Sequence, residues 1–160
     1  MNAFAFSRAG LLGVAAAAAA FSAPTFALAG SCPAGKTGVD IRKPDATPAK
    51  GVTDTVIASI DVAKEPVQIA GRALRMRRLV IEPGGVVPWH SHGDRPAIIY
   101  VEKGEVTEYA STCSVPIVHK AGEATPELHT TSHWWRNTGK GTAVLLSADL
   151  FPVKADPHMM

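Results

Sequence analysis

Short runs of β-forming residues, each closed by a turn rich in Gly or Pro, recur along this chain and leave little room for a helix. Residues 52–62, 75–82, 97–102, 105–110, 115–119 and 142–149 are rich in β-branched or aromatic side chains and partly alternate between apolar and polar. Between them stand Pro83-Gly84-Gly85, Lys103-Gly104, Lys120-Ala121-Gly122 and Asn137-Thr138-Gly139-Lys140-Gly141. No window after residue 29 sustains a 3.6-residue apolar spacing. Strands this short cannot bury a face alone, so the pattern predicts an all-β sandwich or barrel. A chain of 160 residues suits one such domain.

The first 29 residues follow a different rule. Arg8 is the only charge ahead of an apolar, alanine-rich run, and Ala27-Leu28-Ala29 supplies the small-x-small pattern of a signal-peptidase site. A cleaved export signal ending near Ala29 is therefore expected, with a periplasmic or secreted mature protein. A membrane anchor fits less well, because the run is weakly hydrophobic and broken by Ser22 and Pro24. A lipid anchor on Cys32 lacks the leucine expected three residues before it. Residues 30–51 read as an extended arm rich in Pro, Gly, Lys and Thr, residues 52–152 as the barrel, and 153–160 as a loose tail. Export favours a disulfide between the two cysteines, Cys32 and Cys113, with separate thiols the alternative.

Charge excludes some partners. The formal net charge is +2 and no like-charged block occurs, so neither nucleic acid nor, once the signal is gone, a membrane surface is an expected partner. Arg72, Arg75, Arg77 and Arg78 form the one basic concentration and are expected on a solvated strand face.

Chemistry concentrates in the histidines. Five of six lie between His90 and His133. On a strand, His90 and His92 project to the same side, with Trp89 and Ser91 opposite. Two histidines from one strand and His133 from a neighbour would make a three-coordinate metal site with open positions.

The residues around these histidines resemble the two motifs of the cupin superfamily. Gly84, His90, His92 and Gly104 fall on the first motif, and Gly122, His133 and Asn137 on the second. The resemblance spans about residues 75–149 and implies a single cupin-type barrel, a double-stranded β-helix or jelly roll. It implies one divalent transition metal on His90, His92 and His133. The sequence departs from the motifs in places. The glutamate of the first motif would stand at Ala97 or, with shorter spacing, Pro96, and the Pro and Gly of the second are Leu128 and Thr130. A substitute ligand is then sought among His129, Glu127 and Asp94. Three imidazoles without a carboxylate suit Fe, Zn, Ni or Cu better than Mn.

Glu127 and His129 are the candidates for catalytic proton transfer. By strand parity with His133, Trp135 is expected inside the barrel. Tyr100 and Tyr109 are possible sources of a cavity hydroxyl, and Arg95 of a contact to an acidic substrate, with Asp94 an equally good partner for it. Cupin relatives include dioxygenases, isomerases, decarboxylases and lyases. The expectation is a metal-dependent enzyme, nominally dioxygenase-like, acting on a small molecule. The alternative is a non-catalytic cupin module that binds or senses a small ligand or metal. A homodimer paired through strand edges, or through exchange of the arm, is compatible with both.

Overall fold

A computed structural model of the chain describes residues 30–44 and 47–153. The expected signal segment, 1–29, and residues 154–160 of the expected tail lie outside the described residues. Eight strands follow in order: β1 Lys50–Asp61, β2 Arg72–Ser91, β3 Ala97–Lys103, β4 Glu105–Ala110, β5 Ile117–Lys120, β6 Ala124–Glu127, β7 Ser132–Arg136 and β8 Ala143–Pro152. One 3-10 turn, Val62–Lys64, is the sole helical element among the described residues, and no helix there could cross a membrane. The all-β expectation holds. The strands form one curled antiparallel sheet in the order β5-β4-β7-β2-β8-β3-β6, with β1 also paired to β2.

Strand β2 organises the sheet. It runs for 20 residues, and its partner changes along its length. Arg72 to Ile81 pair with β8, whereas Val86 to Ser91 pair with β7. The Pro83-Gly84-Gly85 signal was expected to end a strand, but it bends this one instead. Gly84 takes a φ of 74°, which side chains other than glycine's resist. A Cβ on Gly85 would lie 2.8 Å from the carbonyl oxygens of Glu82 and Gly51. The corner thus lets one strand pass between two halves of the barrel. Asn137, 1% exposed, ties it down. Its side-chain amide donates to the carbonyls of Ile81 (2.9 Å) and Gly141 (2.8 Å), and its Oδ1 accepts from Gly139 N–H (2.9 Å).

Period-two alternation fills the barrel. Ala97, Ile99 and Val101 of β3 point inward while Ile98 and Tyr100 face out. Leu79, Ile81, Val106, Trp135, Ala143 and Leu145 complete the apolar core. The arginines depart from expectation. Arg75 and Arg77 share the inward parity of Leu79 and Ile81, and they surround the buried Asp149 of β8 rather than facing solvent. Arg72 and Arg78 alone take the outward face, beside Asp94 and Glu102. A carboxylate on the inner wall of β8 compensates the two inward guanidiniums, which strand propensity cannot foretell.

The arm is bonded to its own barrel. Cys32 and Cys113 form a disulfide with Cα atoms 5.8 Å apart. Main-chain hydrogen bonds continue the join, from Gly38 N–H to Thr112 O (3.0 Å) and from Ser114 N–H to Lys36 O (2.9 Å). The linked residues are 81 apart in sequence, so loop-entropy arguments assign the bond about 4–5 kcal/mol. Urea unfolding of the Cys113→Ser variant is expected to show a loss of that order. A loss below about 1 kcal/mol would mean that the unfolded chain is not constrained by this link.

Candidate metal centre

The β2–β7 ladder brings His90 directly opposite His133, and His92 follows two residues later on the same side. The three rings converge. Their Nε2 atoms form a near-equilateral triangle with sides of 3.2 Å (His90 to His92), 3.1 Å (His92 to His133) and 3.1 Å (His133 to His90).

The opposite nitrogens explain why the rings stand this way. His90 Nδ1 lies 2.9 Å from the Pro88 carbonyl, and His92 Nδ1 lies 2.9 Å from the Arg95 carbonyl. His133 Nδ1 is 2.6 Å from Glu108 Oε1. Each acceptor carries no proton to give, so each Nδ1 donates and each Nε2 keeps a lone pair. Burial, and then the charge of His133, hold His90 well below the usual imidazole range; the same causes, in the same order, bring His92 down to about 4. Nε2 lone pairs brought within 3.2 Å of one another repel unless a cation sits among them. A triangle of this size accommodates three nitrogens each about 2.0–2.1 Å from one ion, leaving its far side open. The donor set therefore fits a divalent transition metal.

Behind His133 lies a buried acidic pair. Glu108 bridges His133 and His119, accepting from His119 Nε2 at 2.8 Å. Burial pushes the Glu108 carboxyl up, but the hydrogen bonds from His119 and His133 outweigh it and hold the group below the usual carboxylate range. Glu127 is 3.6 Å from His133 Nδ1 and is raised far above that range, first by burial and then by the charge of Glu108. Glu108, Glu127 and His133 could also be grouped as metal donors. That grouping would use the His133 nitrogen already committed to Glu108, and a carboxyl that keeps its proton. Glu108 instead orients the ligand ring.

The metal cavity, about 80 Å³, is walled by Leu79, Val87, Ile99, Trp135 and Leu145, with Asp54, Arg77, Arg95 and Ser147 as its polar lining. Trp135 is inside, as parity predicted, and its indole N–H is 3.1 Å from His133 Nε2. Glu127 is not in this cavity; it lines a second one on the far side of His133. His129 is exposed on the loop before β7 and lines neither. Asp94 pairs with Arg72. Tyr100 faces solvent and Tyr109 stacks on Trp134 at 3.9 Å, so neither hydroxyl enters the cavity. Arg95 is not a solvated loop residue: it is 6% exposed and lies 3.7 Å from Asp149.

A family model for the cupin domain matches residues 77–149. These residues form a cupin domain. An oxalate oxidase structure superposes on this cupin with a TM-score of 0.51 and 25% identity, over 74% of this chain and 60% of the other. This chain thus spans about three fifths of that oxidase's length. The Schizosaccharomyces pombe Cnp3 cupin domain superposes at 0.50 with 9% identity, covering 66% and 69% of the two chains. The Cupin_2 domain of an XRE family transcriptional regulator from Enterobacter cloacae does so at 0.50 with 10% identity, covering 64% and 99%. The latter two share the fold alone. No curated protein matches the sequence of this cupin.

Glu108, His119, Asp54 and Asp149 were missed by sequence reasoning. The available signal was parity: Glu108 sits between the inward Val106 and Ala110, and Asp149 follows Leu145 and Ser147 on one face. Two outcomes are expected. Glu108→Gln removes the charge that orients His133 and should weaken metal affinity by about 10–100-fold in a competition titration. In metal-free protein, His92 moves from 6.5 when unfolded to about 4 when folded. The unfolded chain then binds more protons between these values, so stability falls on acidification from about pH 6.5 to pH 4 and is retained above. Urea midpoints measured across that range check the sign, and His92→Gln should flatten the slope.

Proposed function

We propose that this cupin is a metal-dependent enzyme, dioxygenase-like in its use of oxygen, acting on a small molecule in the periplasm. The observation that carries the reading is the triangle of three converging Nε2 atoms, each ring with its Nδ1 within hydrogen-bond reach of an acceptor. The likeness to an oxalate oxidase, at 25% identity, supports oxidative chemistry over isomerase or lyase chemistry. Periplasmic location rests on the signal-like residues 1–29 and agrees with a disulfide.

His90, His92 and His133 would hold the ion. Iron or copper would supply electron exchange with oxygen, which Zn cannot. Glu108 fixes the His133 ring and strengthens it as a donor. Leu79, Val87, Ile99 and Leu145 keep water scarce beside the reacting atoms, which strengthens each electrostatic contact there. Trp135 limits the size of what enters. Glu127 and His129 are not among the residues lining this cavity, which argues against either as a direct acid or base there.

Elemental analysis of protein isolated from the periplasm, with and without His92→Ala, tests the reading. About one iron or copper per chain is expected in the wild type, and little in the variant. Oxygen uptake with catechols, keto acids or sugar acids should depend on that metal. Metal binding and saturable ligand binding without turnover of any of them would favour a sensing module. A wild type that takes up none of the four metals would overturn the metal centre.

A further inference from the structure

One half of the sheet has its polarity inside out. An antiparallel sheet with one face in water normally buries apolar residues and exposes polar ones. On β8 the reverse holds: Ser147 and Asp149 are buried, whereas Leu146, Ala148 and Leu150 look outward. Strand β2 repeats the inversion, with Arg75 and Arg77 turned in and Leu74 and Met76 turned out.

The registers join these outward residues into one patch. Met76, Ala148 and Ile98 stand side by side on β2, β8 and β3. Ile60, Leu74 and Leu150 form the row on one side of them, and Leu146 and Tyr100 the row on the other. Ile60, Leu74, Ile98 and Tyr100 are each between 41% and 58% exposed. Three rows over four strands, about 4.8 Å apart between strands and about 7 Å between rows, span roughly 400 Å². Apolar surface of that extent in one piece marks an interaction site. Charge is confined to the rims, where Arg78 lies 3.6 Å from Glu102 at one end and Arg72 pairs with Asp94 at the other.

We propose that this face docks on the same face of a second copy of the chain, giving a two-fold, sheet-on-sheet dimer. The face is complementary to itself. Its centre is uncharged, and each rim carries one cation and one anion, so a copy turned about a two-fold axis meets opposite charge at either end. Small Ala148 beside large Ile98 supplies relief into which the partner's side chains interdigitate as the two twisted sheets stack. An apolar patch ringed by ion pairs has the anatomy of a standard interface of about 800 Å² per partner. An anionic bilayer finds no free cation here, because Arg72 and Arg78 each have a carboxylate partner. The arm is already bonded within its own barrel, so the dimer does not require its exchange. Docking also reaches the metal cavity: Ile99, Leu145 and Ser147, next in sequence to Ile98, Leu146 and Ala148, line that cavity from the inner side of the same strands. The dimer itself needs no metal.

Sedimentation equilibrium of the purified protein tests the proposal. Twice the mass of one chain is expected at about 50 μM. Ile98→Lys sets like charges against each other and should raise the dimer Kd at least about hundredfold, with an unchanged far-UV circular dichroism spectrum. Val118→Lys alters an exposed apolar residue of β5, outside the patch, and should leave the mass unchanged. The Tm should rise with protein concentration for the wild type and Val118→Lys, and not for Ile98→Lys. If Ile98→Lys loses its β spectrum, Leu74→Lys carries the same expectation. A wild type that stays monomeric at about 50 μM overturns the proposal. A dimer that tolerates both Ile98→Lys and Leu74→Lys overturns it too, since another surface then pairs the chains. A monomer that sediments with phosphatidylglycerol vesicles overturns it in favour of a lipid surface.

Discussion

Three imidazole rings must keep their outer nitrogens protonated for this site to exist. The acceptors that ensure it come from three different sources: the Pro88 carbonyl, the Arg95 carbonyl and the Glu108 carboxylate. Two are backbone, so their positions follow from how the chain turns at Pro88 and at Arg95. The third is a buried side chain on a neighbouring strand, itself held by His119. Once those bonds are made, the inner lone pairs have no proton to share and one direction to face. Those bonds aim the lone pairs, whereas burial, against the bonds to Pro88 and Arg95, lowers the pKa of His90 and His92 and makes the metal-free protein acid-sensitive.

The barrel exists to make that convergence possible. Strand β2 contributes His90 while pairing with β7, which contributes His133. Its other half pairs with β8 and contributes Arg75 and Arg77 around Asp149. The bend at Pro83-Gly84-Gly85, held by Asn137, sets the angle between the two halves. Histidines and guanidiniums therefore meet in one cavity although they sit on different stretches of one strand.

The runs that form β1, β3, β4, β5, β8 and the first part of β2, and the three histidines, were readable from local pattern, because each depends on spacing of 2 or on residues adjacent in the chain; β6 and β7 were not. Trp135 was readable by parity with His133. The arginines were not, because apolar alternation in β2 offers both faces to a long cationic side chain, and only the buried Asp149 on β8 selects the inner one. Glu127 was legible as a candidate near His133, yet not its side: a turn between it and the strand breaks the parity count. His129 falls in that same turn and ends up in solvent. The continuation of β2 through two glycines was hidden because a Pro-Gly-Gly turn and a strand corner have the same residues.

By itself the sequence determined an all-β chain, six of its eight strand segments, and a His-x-His pair with a distant third histidine as metal-ligand candidates. These follow from near-neighbour sterics and periodicity, which act within a few residues. Only the tertiary structure decided which nitrogen of each ring faces inward, that Glu108 and not Glu127 holds His133, and that Arg77 and Arg95 border the same cavity. Those outcomes depend on hydrogen bonds and charges between residues up to about 70 positions apart, which no local pattern carries.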